Sequence, residues 1–176
     1  KDAFNPSKIY NRIKRAAKGL KVNSEEIFAK VMTSAPTEGV LPTKSIDKLI
    51  AEISASYTSS HYDYSRLAAN ISITSYHKDT NESFYETMKT LCEAGIISEQ
   101  LIKTIEEYGV KKVENIIDHQ KDFGFDYFAW KSLSDVYLLK NSEGKIIERP
   151  QHMYLRIAIW VTKTFEEAKE YYRLLS

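Results

Sequence analysis

The stretch from His61 to Lys78 limits what this chain can become more than any other. Tyr64, Leu67, Ala68 and Ile71 recur there at helical spacing, which gives one buried stripe, and Asp63 stands where it can cap the start. The same period runs on both sides of it. Asn5-Pro6-Ser7 is a helix-start signal, and Ile9, Ile13, Ala16, Ala17 and Leu20 follow, so the spacing predicts an amphipathic helix from Ser7 to about Lys18, ended by Gly19. Asn23 with Glu26 has the form of a capping box, ahead of Ile27, Val31 and Met32. Pro36 to Pro42, with Gly39 between, reads as a loop. Thr43 then occupies an N-cap position before the stripe Ile46, Leu49, Ile50 and Ile53.

Past Asp79-Thr80-Asn81, the one plausible boundary, helical spacing resumes. Phe84, Met88, Leu91 and Cys92 share a side; Ser98-Glu99 start a helix carrying Leu101, Ile102 and Ile105 that Gly109 stops; Val113, Ile116 and Ile117 continue. Between Asp122 and Trp130 aromatic residues crowd together, and Tyr127, Trp130, Leu133 and Tyr137 keep a helical period that points to core packing over base stacking. Tyr137 to Lys140 and Lys145 to Glu148 flank Asn141-Ser142-Glu143-Gly144, the form of a short β-hairpin. Pro150 opens a further helix with Met153, Tyr154 and Ile157, and Phe165, Ala168, Tyr171 and Leu174 mark the last. The expected class is mainly α.

Several functions are excluded or disfavoured. No apolar run approaches the roughly 18 residues needed to cross a bilayer, and Lys1 to Pro6 lack a signal-peptide core. With Cys92 the single cysteine, no internal disulfide or cysteine-based zinc site can form, which fits a reducing, cytoplasmic setting. Cys92 itself reads as a buried small hydrophobe. His61, His77, His119 and His152 show no i, i+4 pair that would place two metal ligands on one helix face, so no metal site is expected. Glycine-rich phosphate loops are absent, and no nucleophile triad or carboxylate pair converges visibly.

Charge is the positive signal. Residues 1–59 hold ten Lys+Arg against six Asp+Glu, a net of +4, and the remainder holds fifteen against eighteen, a net of −3. Between Asp2 and Glu25 lie Lys8, Arg12, Lys14, Arg15, Lys18 and Lys21 with no acid among them. Such a face is either simply solvated or an anion site for nucleotide phosphate or nucleic acid. The start of the helix at Thr43, with its unpaired N–H groups and partial positive charge, could take a phosphate, or could be an ordinary cap.

Three stretches carry a family resemblance. Glu148-Arg149-Pro150-Gln151-His152-Met153-Tyr154-Leu155-Arg156, then Asp122-Phe123-Gly124-Phe125-Asp126-Tyr127-Phe128-Ala129-Trp130-Lys131-Ser132-Leu133 with Tyr137 to Lys140, and Tyr64-Ser65-Arg66-Leu67-Ala68-Ala69 with His77-Lys78 all resemble the large subunit of aerobic (class I) ribonucleotide reductase. The resemblance implies that residues 1–78 form an ATP-cone, a four-helix regulatory domain under a hairpin lid, truncated here. Residues 79–176 are similar to the helical region that precedes the catalytic barrel. An ATP-cone binds ATP as activator or dATP as inhibitor, with Mg accompanying the nucleotide, and controls the making of deoxyribonucleotides for DNA synthesis.

By motif, Asp2 and Asn5-Pro6-Ser7-Lys8-Ile9 look like the family's lid end and first helix start, with Lys8 placed to meet phosphates. Gly39-Val40-Leu41-Pro42-Thr43 is similar to the family's Gly-Val-x-Thr turn, one residue longer. It would set Thr43 at the phosphates or sugar and Asp47 toward the sugar or base, and Lys78 matches the family's lysine after the fourth helix. The first lid strand and the family's redox-active and radical cysteines have no counterpart in this chain, so the resemblance gives it no catalytic residue; Cys92 matches none of them. Implied partners are a second large subunit, as a homodimer or higher oligomer, and the radical-bearing small subunit, with no direct nucleic-acid or membrane contact. The competing expectations are a nucleic-acid-binding module, since ATP-cones also occur in transcriptional repressors and Lys8 to Lys21 is a basic helix, although the cysteine-rich zinc ribbon of those repressors is ruled out by a single cysteine, and a helical interaction module without nucleotide control.

Overall fold

The computed structural model of the chain describes residues 5–35 and 42–176. They are built from ten α-helices, a 3-10 turn and a π-turn, with no strand among the described residues. The predicted Pro36 to Pro42 loop lies outside them except for Pro42. The chain divides into two compact units, Lys1–Tyr76 with Phe123–Lys131, and His77–Asp122 with Ser132–Ser176.

The first unit holds α1 (Pro6–Ala16), α2 (Ser24–Ser34), α3 (Thr43–Ser56) and most of α4 (Asp63–Asp79). Each turns its apolar stripe inward: Ile9, Ile13 and Ala17, then Ile27 and Val31, then Ile50 and Ala51, then Tyr64, Leu67, Ala68 and Ile71 close one core. Each buried Ile or Leu contributes roughly 1.5–3 kcal/mol, far more than helix propensity does. Asn5 caps α1, its side chain accepting from the amides of Ser7 and Lys8 at 3.0 and 3.3 Å. Asn23 caps α2 through the Glu26 amide.

Two predicted caps differ. Helix α3 begins with Pro42 at the cap and no side-chain cap hydrogen bond, so Thr43 is its first helical residue. The cause is Pro42, whose fixed φ of −58° with ψ 144° sets the turn into the helix, and whose carbonyl accepts from Ser45 and Ile46. Asp63 opens α4, but its carboxylate accepts from the Lys21 amide at 2.7 Å and so ties down the α1–α2 connection.

The second unit holds α5 (Phe84–Glu93), α6 (Glu99–Tyr108), α7 (Val110–Glu114), α9 (Pro150–Val161) and α10 (Phe165–Leu175) around Phe84, Met88, Leu91, Leu101, Ile105, Val113, Leu155, Ala158, Ile159, Ala168 and Tyr172. Ser83, Ser98 and Thr164 cap α5, α6 and α10. Cys92 is half-buried rather than buried. Helix α8 (Tyr127–Ser132) belongs, up to Lys131, to the first unit, where it buries Trp130 against Tyr76 at 5.0 Å.

The predicted hairpin is not formed. Lys140 and Ile146 make one isolated antiparallel bridge, and no strand extends from it. The chain does reverse, with Asn141 N–H donating to the Lys145 carbonyl and Gly144 at φ 76°. The ladder stops because the Glu148 carboxylate takes the Leu139 N–H at 3.0 Å. Two predicted stripes are also displaced. The π-turn at Leu133–Tyr137 adds a residue to its turn and leaves Tyr137 63% exposed, and α10 buries Tyr172 while Leu174 is 82% exposed.

Candidate functional site

Within the first unit, side-chain contacts fix the direction of each helix. Tyr10 donates to Glu25 at 2.8 Å, Lys14 pairs with Glu25 at 3.0 Å, and the Tyr10 ring meets Phe28 edge-on at 5.3 Å. The later part of α1 therefore lies beside the start of α2, so the two run antiparallel. Tyr57, just past the end of α3, packs on Tyr64 at 5.5 Å, and the Tyr64 hydroxyl accepts from the Asn23 amide at the start of α2. Helix α3 is thus antiparallel to α2 and parallel to α1. The N-termini of α1 and α3 point the same way, at the end of the bundle away from that tyrosine pair.

One ion pair ties those two helices. Arg12 Nη2 lies 2.5 Å from Asp47 Oδ2, and Asp47 is 3% exposed. The contact is close without hydrogen-bond alignment, and Arg12 Nε is buried with no acceptor among the described residues. Lys8 precedes Arg12 by four residues and Thr43 precedes Asp47 by four, so each sits one turn nearer its own helix N-terminus on the same face. Asn5, Ser7, Lys8 and Thr43 are all exposed there. The structure so gathers five of the seven expected residues, with Asp47 on the inner side of the group. Asp2 lies outside the described residues, as do Gly39, Val40 and Leu41 of the turn. Lys78 is in the last turn of α4 and belongs to the second unit, so it is not among the five.

The basic run separates into two ends. Lys14 and Arg15 sit in the last turn of α1, where cations favour the negative helix end. Glu25 neutralises Lys14: the Tyr10 hydroxyl, followed by Lys14, holds the Glu25 carboxyl down at about 2. Of the six, Lys8 alone lies in the N-terminal half of α1, with Arg12 one turn further on, and Lys44 joins them from the first turn of α3. A continuous basic strip of the kind that tracks a nucleic-acid backbone is not what α1 presents.

The second unit explains what the most distinctive motif does. Glu148 is fully buried and holds Arg156 bidentately, Nε to Oε1 at 2.6 Å and Nη2 to Oε2 at 3.1 Å. Arg149 donates to Thr80 Oγ1 and to the carbonyls of His77 and Thr80, closing the end of α4. Gln151 donates to Asp122 at 3.1 Å and accepts from the Tyr172 hydroxyl at 2.7 Å, and Asp122 also meets His77 Nε2 at 2.8 Å. His152 and His119 both place Nε2 on the Glu82 carbonyl, at 3.2 and 3.1 Å, with their rings 5.1 Å apart. Burial, and then the neighbouring His119, push His152 down to about 3. Every polar side chain in the run from Glu148 to His152 is thus a buried structural strut. Sequence reasoning did not identify this network, because its partners lie 8 to 72 positions away along the chain.

Residues 123–176, which contain this motif, match the model of the ribonucleotide reductase all-alpha domain. Along most of its length the chain is homologous to the N-terminal region of the class I ribonucleoside-diphosphate reductase large subunit. It is 36% identical over 169 residues to the large subunit of Dictyostelium discoideum, covering 89% of this chain and 19% of that protein. It is 36% identical over 182 residues to that of Caenorhabditis elegans and 33% over 181 residues to that of Arabidopsis thaliana, each covering 96% of this chain and 23% and 22% of the relative. The chain spans about a fifth of the length of these relatives.

Proposed function

We propose that this chain is the regulatory N-terminal part of a ribonucleoside-diphosphate reductase large subunit, and that its first unit binds ATP or dATP with the phosphates at the shared end of α1 and α3. The whole enzyme would reduce ribonucleotides to deoxyribonucleotides, with a radical-bearing small subunit as partner. The observation that carries the nucleotide reading is the parallel setting of the two helices, which directs two positive dipole ends, about one full positive charge in total, to one end, with the first amides of α1 already held by Asn5. Lys8 and Lys44 add cations and Asn5, Ser7 and Thr43 add polar groups at that end. Pro42 supports the reading as well, since a proline at the α3 cap has no side-chain acceptor to set on that helix's first amides.

Control would work by population shift. ATP and dATP must favour different assembly states of the large subunit, because a ligand with equal affinity for two states moves neither. A thermal-shift titration of the chain with each nucleotide tests the reading. A ligand at 100 times its dissociation constant stabilises by about 2.7 kcal/mol, and Lys8→Ala and Thr43→Ala should each weaken the effect. Absence of a saturable shift with either nucleotide would overturn it.

A further inference from the structure

The Arg12–Asp47 pair sits where a bare carboxylate would compete with a phosphate ligand for the positive helix ends. Asp47 is buried on α3, four residues, or about 6 Å along the axis, below Thr43. Each helix N-terminus carries roughly half a positive charge, so the mouths of α1 and α3 together offer about one. A single uncompensated carboxylate one turn below them would cancel that attraction for a polyphosphate.

Arg12 lies within ion-pair distance of that carboxylate, reaching it from the neighbouring helix. Its side chain is mostly buried, with Nε and Nη2 shielded from solvent, so the part of the guanidinium that faces Asp47 is not turned to a ligand at the helix mouths.

We propose that Arg12 is the charge-balancing and positioning residue of the nucleotide site: it fixes the Asp47 carboxylate inside the bundle and, by neutralising it, keeps the paired helix mouths attractive to a polyphosphate. The inference rests on the nucleotide reading above and adds a residue to it.

The test uses the chain with inorganic tripolyphosphate as probe, which removes any sugar or base contact, and isothermal titration at low salt. Arg12→Gln keeps the shape and removes the charge, and should weaken tripolyphosphate binding roughly tenfold or more. Adding Asp47→Asn to that variant should restore binding to within about threefold of wild type. Asp47→Asn alone should bind tripolyphosphate more tightly than wild type. That last result separates the charge role from a merely structural one, because loss of a structural strut would weaken binding in both single variants, and it holds even where Arg12→Gln fails to fold. Unchanged binding in a folded Arg12→Gln, or weaker binding in Asp47→Asn, would overturn the inference while leaving the nucleotide reading in place. Failure of the wild type to bind ATP, dATP or tripolyphosphate would remove that reading, and the inference with it.

Discussion

Glu148→Gln is the most informative perturbation of the second unit. The native carboxylate is fully buried, accepts both Arg156 contacts at 2.6 and 3.1 Å, and takes the Leu139 amide at 3.0 Å. Glutamine can still accept from Leu139, so the change isolates the charged fork. Breaking a buried ion pair from one side costs about 3–5 kcal/mol. The Arg156 side chain is 21% exposed and can partly rehydrate, which sets the expectation near the lower end, about 3 kcal/mol. For a chain of this size each kcal/mol moves the midpoint by roughly 2–4 °C, so the shift should be about 6–12 °C. Arg156→Met should cost at least as much, because it strands the more deeply buried partner. Calorimetry of both single variants and the double variant measures the coupling, expected at about 1.5–3 kcal/mol. A Glu148→Gln midpoint within about 2 °C of wild type, or a coupling near zero, would refute the view that this fork holds α9 to the Leu139 segment.

Other expectations come from the same network and from the caps. His152 has its proton affinity lowered in the fold, so at pH above about 6.5 it is neutral in both states and contributes no pH dependence. As pH falls from 6.5 toward about 3, the unfolded chain binds the proton first and stability drops by up to about 1.4 kcal/mol per unit. Denaturation at pH 6.5 and pH 5 should differ by about 2 kcal/mol from this residue, and His152→Gln should flatten that part of the profile; an unaltered slope would assign it elsewhere. Glu114 accepts from Ser83 Oγ and the amides of Phe84 and Tyr85, filling the start of α5. Glu114→Gln should cost about 1–2 kcal/mol in urea denaturation. Asn5→Ala, which removes the cap of α1, should cost about 1 kcal/mol, read the same way.

The helices were legible because their signals are local. Asn5, Asn23 and Ser98 cap helices as the order of residues implies, and the stripe of α4 faces inward as its spacing requires. What sequence could not give depends on partners distant along the chain. Glu148 takes the amide that a hairpin ladder would have used, and nothing in Asn141-Ser142-Glu143-Gly144 announces that. The outward turn of Tyr137 follows from a π-turn, which adds a residue without a composition signal of its own. At the candidate site, Asn5, Ser7, Lys8 and Thr43 were each nameable from the sequence. The parallel setting of their helices, and the choice of Arg12 as the partner of Asp47, required the fold.

The central claim is that a triphosphate sits across the starts of α1 and α3. Nitrogen-15 correlation spectra of the chain titrated with dATP test it most directly. The account predicts saturable shifts largest at the amides of Thr43 and Lys44 and smaller ones at Ser7 and Lys8, whose amides the neutral Asn5 side chain already holds, with the amides of Phe84 and Tyr85 unmoved because the Glu114 carboxylate already neutralises that helix start. Shifts centred on any other surface, or none at millimolar nucleotide, would contradict it.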